Sequence, residues 1–469
     1  MNKKLLASAV VATLFIGGCT DDGEDGAAGI PGIDGAPGQN GVNGVSNFVS
    51  RPDVLATNAN IAYAMYSDSL ITAQNLKSAL EDLVAAPTEA SFAAAKKAWL
   101  DSREPYGQSE VYRFRVGPID ALKEDGTMGE EGDGPEGSIN AWPLGEALID
   151  YVAPVVDGDD GPEDPAAVLT GNVIENVTDY PTIDVDTVLS VAEFGEDERN
   201  VATGYHAIEF LLWGQDLNLD LSGAGSRDSS GGQRPVSDFY TTDNGNINGC
   251  TSGETPTTDN ICARRGDFLI AAADILISDL SAVVQAWEPG AGVHYTAFVD
   301  GGDVSLAKIL EGMGRLSYGE LAGERMNIAL TTDSQEDEHS CFSDNTHRDI
   351  FLNAKGIQTM FTASYTRIDG EVVEGASIHD LLVVEGEAEL ANQLRGALEQ
   401  TMAAASVIDT KAKTGTPFDV LIQQGVDQPN IVAMIQNLVV QTDVIEQAII
   451  ALGVTTNDIR QDTGEDIGG

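Results

Sequence analysis

The chain has 469 residues and carries 75 acidic side chains against 25 Lys and Arg, a formal net charge of −50. That length implies two to four domains at roughly 100–200 residues each, and a hydrophobic content of 42% excludes global disorder. So few cations exclude an extended nucleic-acid face and attraction to an anionic membrane, and the charge favours cations near the surface.

Residues 1–19 read as a targeting segment. Lys3 and Lys4 precede an apolar run from Leu5 to Gly18, short for a membrane span and right for the apolar part of a signal peptide. Ile16-Gly17-Gly18-Cys19 is similar to a bacterial lipobox, which implies a signal peptide over 1–18 and a lipidated Cys19. An ordinary signal peptide cut nearby is the alternative. Thr20 behind Cys19 fits an outer-membrane lipoprotein, facing the periplasm or the surface, and contact with membrane is expected only through the lipid. No later apolar run reaches about 18 residues, so no transmembrane helix is expected. Glycine then recurs at every third position from Gly23 to Gly44. Only a triple helix demands that period, but Pro fills few of its favoured positions. Residues 19–46 read as a monomeric extended tether reaching roughly 70 Å at about 3.1 Å per residue; a trimeric stalk is the alternative.

Beyond residue 50 the apolar periodicity is near 3.6 and predicts an all-α chain. Helical patterns cover 53–84, 91–106, 197–213, 264–287, 303–330 with Asp303 as N-cap, 346–366, 376–408 and 429–452 with Gly453 as the stop. Loops rich in Gly, Asp and Pro occupy 124–138, 154–166 and 222–262. The last is long for a compact domain and is taken as the boundary between two helical bundles, 47–221 and 263–455, with 456–469 a polar tail. Cys250 and Cys262 bracket a polar turn-rich loop, a natural short disulfide in an oxidising compartment. One thiol is left over, and a pairing to Cys341 is the alternative.

The helix ending at Gly214 is apolar nearly all round and so predicted buried. On it His206 and Glu209 are three apart and point the same way. A buried Glu must be paired or bind a metal, so the two are either a hydrogen-bonded core pair or two metal ligands. The His-Glu-x-x-His pattern of zinc proteases is not present: Ala207 and Phe210 occupy the positions it needs. His294, His339, His347 and His379 remain as partners, with nothing to separate His339 from His347. Glu336 and His339 have ligand spacing too, in an acidic run that reads as a solvated loop.

Gly204-x-His206-x-x-Glu209 resembles the signature of the imelysin family, also called the insulin-cleaving metalloproteinase family. Trp99-Leu-Asp-Ser-Arg103-Glu-Pro-Tyr106-Gly-Gln-Ser-Glu110, Gly117-Pro-Ile-Asp120, Asn140-Ala-Trp142, Leu316-Ser-Tyr-Gly-Glu320-Leu-Ala-Gly-Glu324-Arg325 and Cys341-Phe-Ser-Asp-Asn-Thr-His347 agree with it. The resemblance spans about 50–455. It implies two α-helical bundles facing each other with the site between them, and a metal ion bound by His206 and Glu209 with a third carboxylate, placed at Glu110. Arg103 and Tyr106 would orient a carboxylate or satisfy it in the core. Asp120 and Trp142 would wall the site, and Glu320 and Glu324 would cap its open side. The family's members imply either a metal-binding, iron-linked envelope protein or a metal-dependent peptidase. The cofactor is then one divalent or ferric ion, iron or zinc, and the partner an envelope iron-uptake protein. The missing base beside His206 weighs against the peptidase.

Overall fold

The computed structural model describes residues 49–142, 144–152, 172–196, 200–218, 227–246, 249–251 and 259–460. The signal peptide, Cys19 and the Gly-x-x tether lie outside them, as do residues 461–469 of the tail, the whole 154–166 loop and parts of the 222–262 loop. The described residues belong to one compact unit.

Helix α1 (Arg51–Ala85) starts where the Ser50 N–H donates to the Asp53 carboxylate at 3.0 Å, and Pro52 sits in its first turn. After the Pro87 break, Thr88 and Ser91 cap α2 (Glu89–Ser109) reciprocally, each hydroxyl accepting from the other's N–H. Four short helices follow: α3 (Pro118–Ala121), α4 (Glu136–Asn140), α5 (Glu146–Ile149) and α6 (Val185–Val191). The motif helix α7 (Gly204–Trp213) starts later than the expected 197, because Thr203 is extended and Gly204 has φ +78°. Then come α8 (Asp259–Ala286), α9 (Val293–Val299) and α10 (Gly302–Arg315). Gly301, not Asp303, is the N-cap of α10; Asp303 lies in its first turn.

The expected single helix to Leu330 instead widens into a π-helical stretch, Leu316–Ile328, before α11 (Ala329–Thr332). Next is α12 (Thr346–Thr362), then a hairpin of β1 (Ser364–Thr366) and β2 (Val372–Glu374), antiparallel with Tyr365 opposite Val373. The pattern over 376–408 forms two helices, α13 (Ile378–Val384) and α14 (Ala388–Lys413), broken where Gly386 has φ +100°. The last two are α15 (Phe418–Ile422) and α16 (Pro429–Ala451), with Gly453 at φ +65° closing the end. The fold is all-α; among the described residues the hairpin is the only sheet.

The apolar side chains gather into two cores. The larger is built on α1, α2, α7 and α8, with Trp99, Tyr112, Phe210 and Trp287 inside it. The smaller joins the π stretch to α15 and α16 through Leu321, Met326, Phe418, Ile431 and Leu438. The segment 222–262 does not divide them: α8, behind it, packs along α1, and α12 packs on α2 as well as on α14. α12, α14 and α16 supply side chains to both cores. Cys250 and Cys262 are bonded, with Cα atoms 5.7 Å apart, and Cys341 is a buried free thiol.

Candidate functional site

Every residue of α7 is buried, as the all-round apolar pattern predicts. The positive φ of Gly204 lets the chain turn into the helix against Ile139, whose carbonyl oxygen lies 2.3 Å from where a Cβ would be. The Trp99 indole N–H donates to the Tyr205 carbonyl at 2.8 Å and ties α2 to this helix.

His206 and Glu209 meet as expected: His206 Nδ1 is 2.9 Å from Glu209 Oε2. The other oxygen, Oε1, accepts from the Ser343 N–H at 3.0 Å and from its hydroxyl at 2.6 Å. Glu209 is fully buried; burial outweighs Ser343 and pushes its carboxyl up to about 8. Burial also holds His206 well below its usual range, helped by the neighbouring His339 and Arg103. His206 Nε2 is buried without a hydrogen-bond partner.

The second histidine is His339. Its ring stands nearly perpendicular to that of His206, centroids 4.7 Å apart, and to that of Trp142, at 4.5 Å. Its Nδ1 is 3.0 Å from Asp349 Oδ2, and its Nε2 is 3.3 Å from the Asn140 amide nitrogen. Arg103 donates to Asn140 and, at 2.9 Å, to Asp349 Oδ1, so the same carboxylate serves both. The solvated-loop reading of Glu336–His339 is thus overturned at its end: Glu338, His339 and Ser340 are buried. No periodic pattern around His339 signals this, because its partners come from α2, α4 and α12. His347 turns away, with Nδ1 2.9 Å from the Asp344 carbonyl.

Glu110 opens a 3-10 turn (Glu110–Tyr112) at the end of α2. It is fully enclosed, accepts from Arg325, and accepts from the Asn353 amide at 3.3 Å. Burial alone would raise its carboxyl, but Arg325 and His339 outweigh it and bring it down to about 2. Glu110 therefore stands in an ion-pair network beside His339, and its carboxylate is held by Arg325 and Asn353. Glu320 joins that network through Arg325 at 2.8 Å and Arg113 at 3.1 Å. The i,i+5 period of the π stretch makes this possible: Glu320 and Arg325 share a face there, whereas an α-helix would turn them well apart. Glu324 is half-buried on the same stretch.

Tyr106 packs on Tyr205, centroids 4.9 Å apart, and its hydroxyl is buried without a partner. Trp142 lines one small cavity with Leu144, His206, Glu336, Glu338, His339, Cys341 and Phe342. Asp120 is bonded to the Arg115 N–H at 3.3 Å and does not line that cavity. Sequence reasoning left His339 unseparated from His347 and passed over Asp349, Ser343 and Asn353. The last three are ordinary helix or turn residues in sequence, and only the packing of α12 against α2 gives them a role.

No curated protein matches the chain. Two crystal structures are similar in fold. One is a putative iron-regulated protein A precursor from Parabacteroides distasonis, 16% identical with a TM-score of 0.56, covering 86% of this chain and 96% of that one. The other is an imelysin-like protein from Psychrobacter arcticum, 14% identical with a TM-score of 0.53, covering 87% and 97%. The imelysin family model matches residues 62–445, and the chain belongs to the imelysin family.

Proposed function

We propose that this protein is a lipid-anchored envelope protein that captures a metal ion, iron or zinc, at the Gly204-x-His206-x-x-Glu209 centre and serves iron acquisition. The observation that carries the reading is His206 Nε2: a buried imidazole nitrogen with no partner, on a ring whose Nδ1 is fixed by Glu209. A carboxylate on one ring nitrogen is the usual way to aim the other at a metal. His339, perpendicular to it across the cavity, is the second imidazole.

In this arrangement Glu209 orients His206 and supplies negative charge, because Ser343 and His206 occupy both its oxygens. A cation at Nε2 needs the ring proton on Nδ1, so Glu209 gives up its own proton and becomes the acceptor. Glu110, expected as the third ligand, contributes charge: it favours a cation beside His339, although Arg325 holds its carboxylate. Imidazole with carboxylate suits iron, manganese or zinc, and the Irving–Williams order does not select among them. The iron-regulated name of the Parabacteroides structure supports iron. A Glu209 held on both sides suits a fixed counter-charge better than a base that must exchange protons at each turnover.

Calorimetric titration with Fe²⁺ and Zn²⁺ tests this. The parent should bind one ion, His206→Ala should lose binding while keeping its helical circular dichroism, and Glu209→Gln should weaken it about 10–100-fold. A parent that binds neither ion leaves the pair as a core hydrogen bond and ends the proposal. Chelator-sensitive peptide cleavage lost in His206→Ala would replace it with the peptidase reading.

A further inference from the structure

Among the described residues, one trio of side chains places ligand atoms from His, Cys or carboxylate all within 4.8 Å of one another: Asp216, Asp344 and Asp419. The trio lies outside the His206 centre. Asp216 follows α7, Asp344 sits in the turn before α12 with φ +59°, and Asp419 is in the first turn of α15. Three separate segments thus turn carboxylates onto one point. Two are half-buried and Asp419 is only 2% exposed.

The groups around the trio answer its charge only in part, Arg227 and the Val420 N–H at Asp419 and Gln335 at Asp216 being outweighed by burial. Asp419 Oδ1 is buried and has no hydrogen-bond partner. Glu338, also 2% exposed, has a buried and unpartnered Oε1. Gln335 donates to Asp216. Arg227 spends its guanidinium on the Asp419 carbonyl, at 3.1 Å, and on Asp333. Burial and mutual repulsion push Asp216, Asp344 and Asp419 up together. Buried carboxylates this close need protons or a shared cation.

We propose that Asp216, Asp344 and Asp419, with Glu338 beside them, form a second cation site that takes a hard divalent ion of the calcium class. The donors are oxygen only, which selects hard ions over those that prefer imidazole or thiolate. Calcium takes oxygens at about 2.3–2.6 Å in a flexible shell, whereas magnesium demands a near-ideal octahedron and keeps several of its waters. The site bears on the His206 centre through the chain. Asp344 follows Ser343, which holds Glu209, and Glu338 lines the His206 cavity. A bound ion would pin the end of α7 to the Ser343 turn.

The test is calorimetric titration of the full chain with CaCl₂, together with thermal melts in chelator and in millimolar CaCl₂. The parent should bind one calcium ion and melt higher with it. Asp419→Asn and Asp344→Asn should bind at least tenfold more weakly and lose the calcium-dependent rise in melting temperature. His206→Ala should bind calcium like the parent, which separates this site from the one above. A parent with no calcium heat and no shift in melting, or Asn variants that bind as the parent does, overturns the proposal. The parent's own melt decides the matter even if an Asn variant does not fold.

Discussion

Asp120 is 6% exposed, and its carboxylate accepts from the Arg115 N–H. Burial, opposed by Arg113 and by that hydrogen bond, pushes its carboxyl from 3.8 up to about 7. A carboxyl with a raised folded pKa binds its proton more tightly folded than unfolded. Its stabilisation is therefore complete below about pH 4 and is lost as the pH rises through 7. Asp120→Asn keeps an acceptor for Arg115 and has no proton to lose. Urea unfolding at pH 5 and pH 8 should show the parent losing more stability over that interval than the variant, by roughly 3 kcal/mol at most. Equal losses would mean that Asp120 is ionised throughout. Asp120 is a buried carboxyl in α3.

At the scale of the element, α7 shows which parts of a site a sequence can carry. Its burial followed from apolar residues on every face, and the His206–Glu209 contact followed from a spacing of three. Its start did not, because a positive-φ glycine against a distant carbonyl leaves no periodic mark. Gly204→Ala would put a Cβ 2.3 Å from the Ile139 carbonyl at φ +78°. The left-handed conformation alone costs about 1–2 kcal/mol, and the clash adds to it. Chemical denaturation should show a loss of at least about 2 kcal/mol, with weaker metal binding as His206 shifts; a loss under about 0.5 kcal/mol would show that the backbone there relaxes freely. The π stretch was equally invisible, since its apolar residues fit a 3.6 period well enough. What it gains is the i,i+5 ion pair of Glu320 with Arg325, a contact that only the wider turn allows. His339 marks the same limit from the other side: an acidic neighbourhood reads as solvent, whereas its partners arrive from helices 199 and 236 residues away, at Asn140 and Arg103.

Across the whole molecule, α2 and the turn behind it meet α12 and the π stretch along a line of buried ion pairs. Arg103 with Asp349 and Arg325 with Glu110 are fully enclosed, and Arg103 also lies 4.9 Å from the Tyr205 ring. Buried pairs are weak evidence for net stability, because desolvation offsets most of the attraction. Their use here is positional: Asp349 accepts from Arg103 with one oxygen and faces Nδ1 of His339 with the other, so the contact between helices also sets the second imidazole beside His206. Removing one partner strands a charge in the interior. Asp349→Ala and Arg103→Leu should each cost about 3–5 kcal/mol, while the double variant should cost clearly less than their sum, since neither charge is then left alone. Denaturant unfolding of the four proteins in a double-mutant cycle gives the coupling. Strict additivity would mean that the two side chains do not act as a pair. A coupled pair whose double variant regains stability but not metal binding would separate the two roles, because the apolar replacement restores packing and leaves His339 without the carboxylate that holds it.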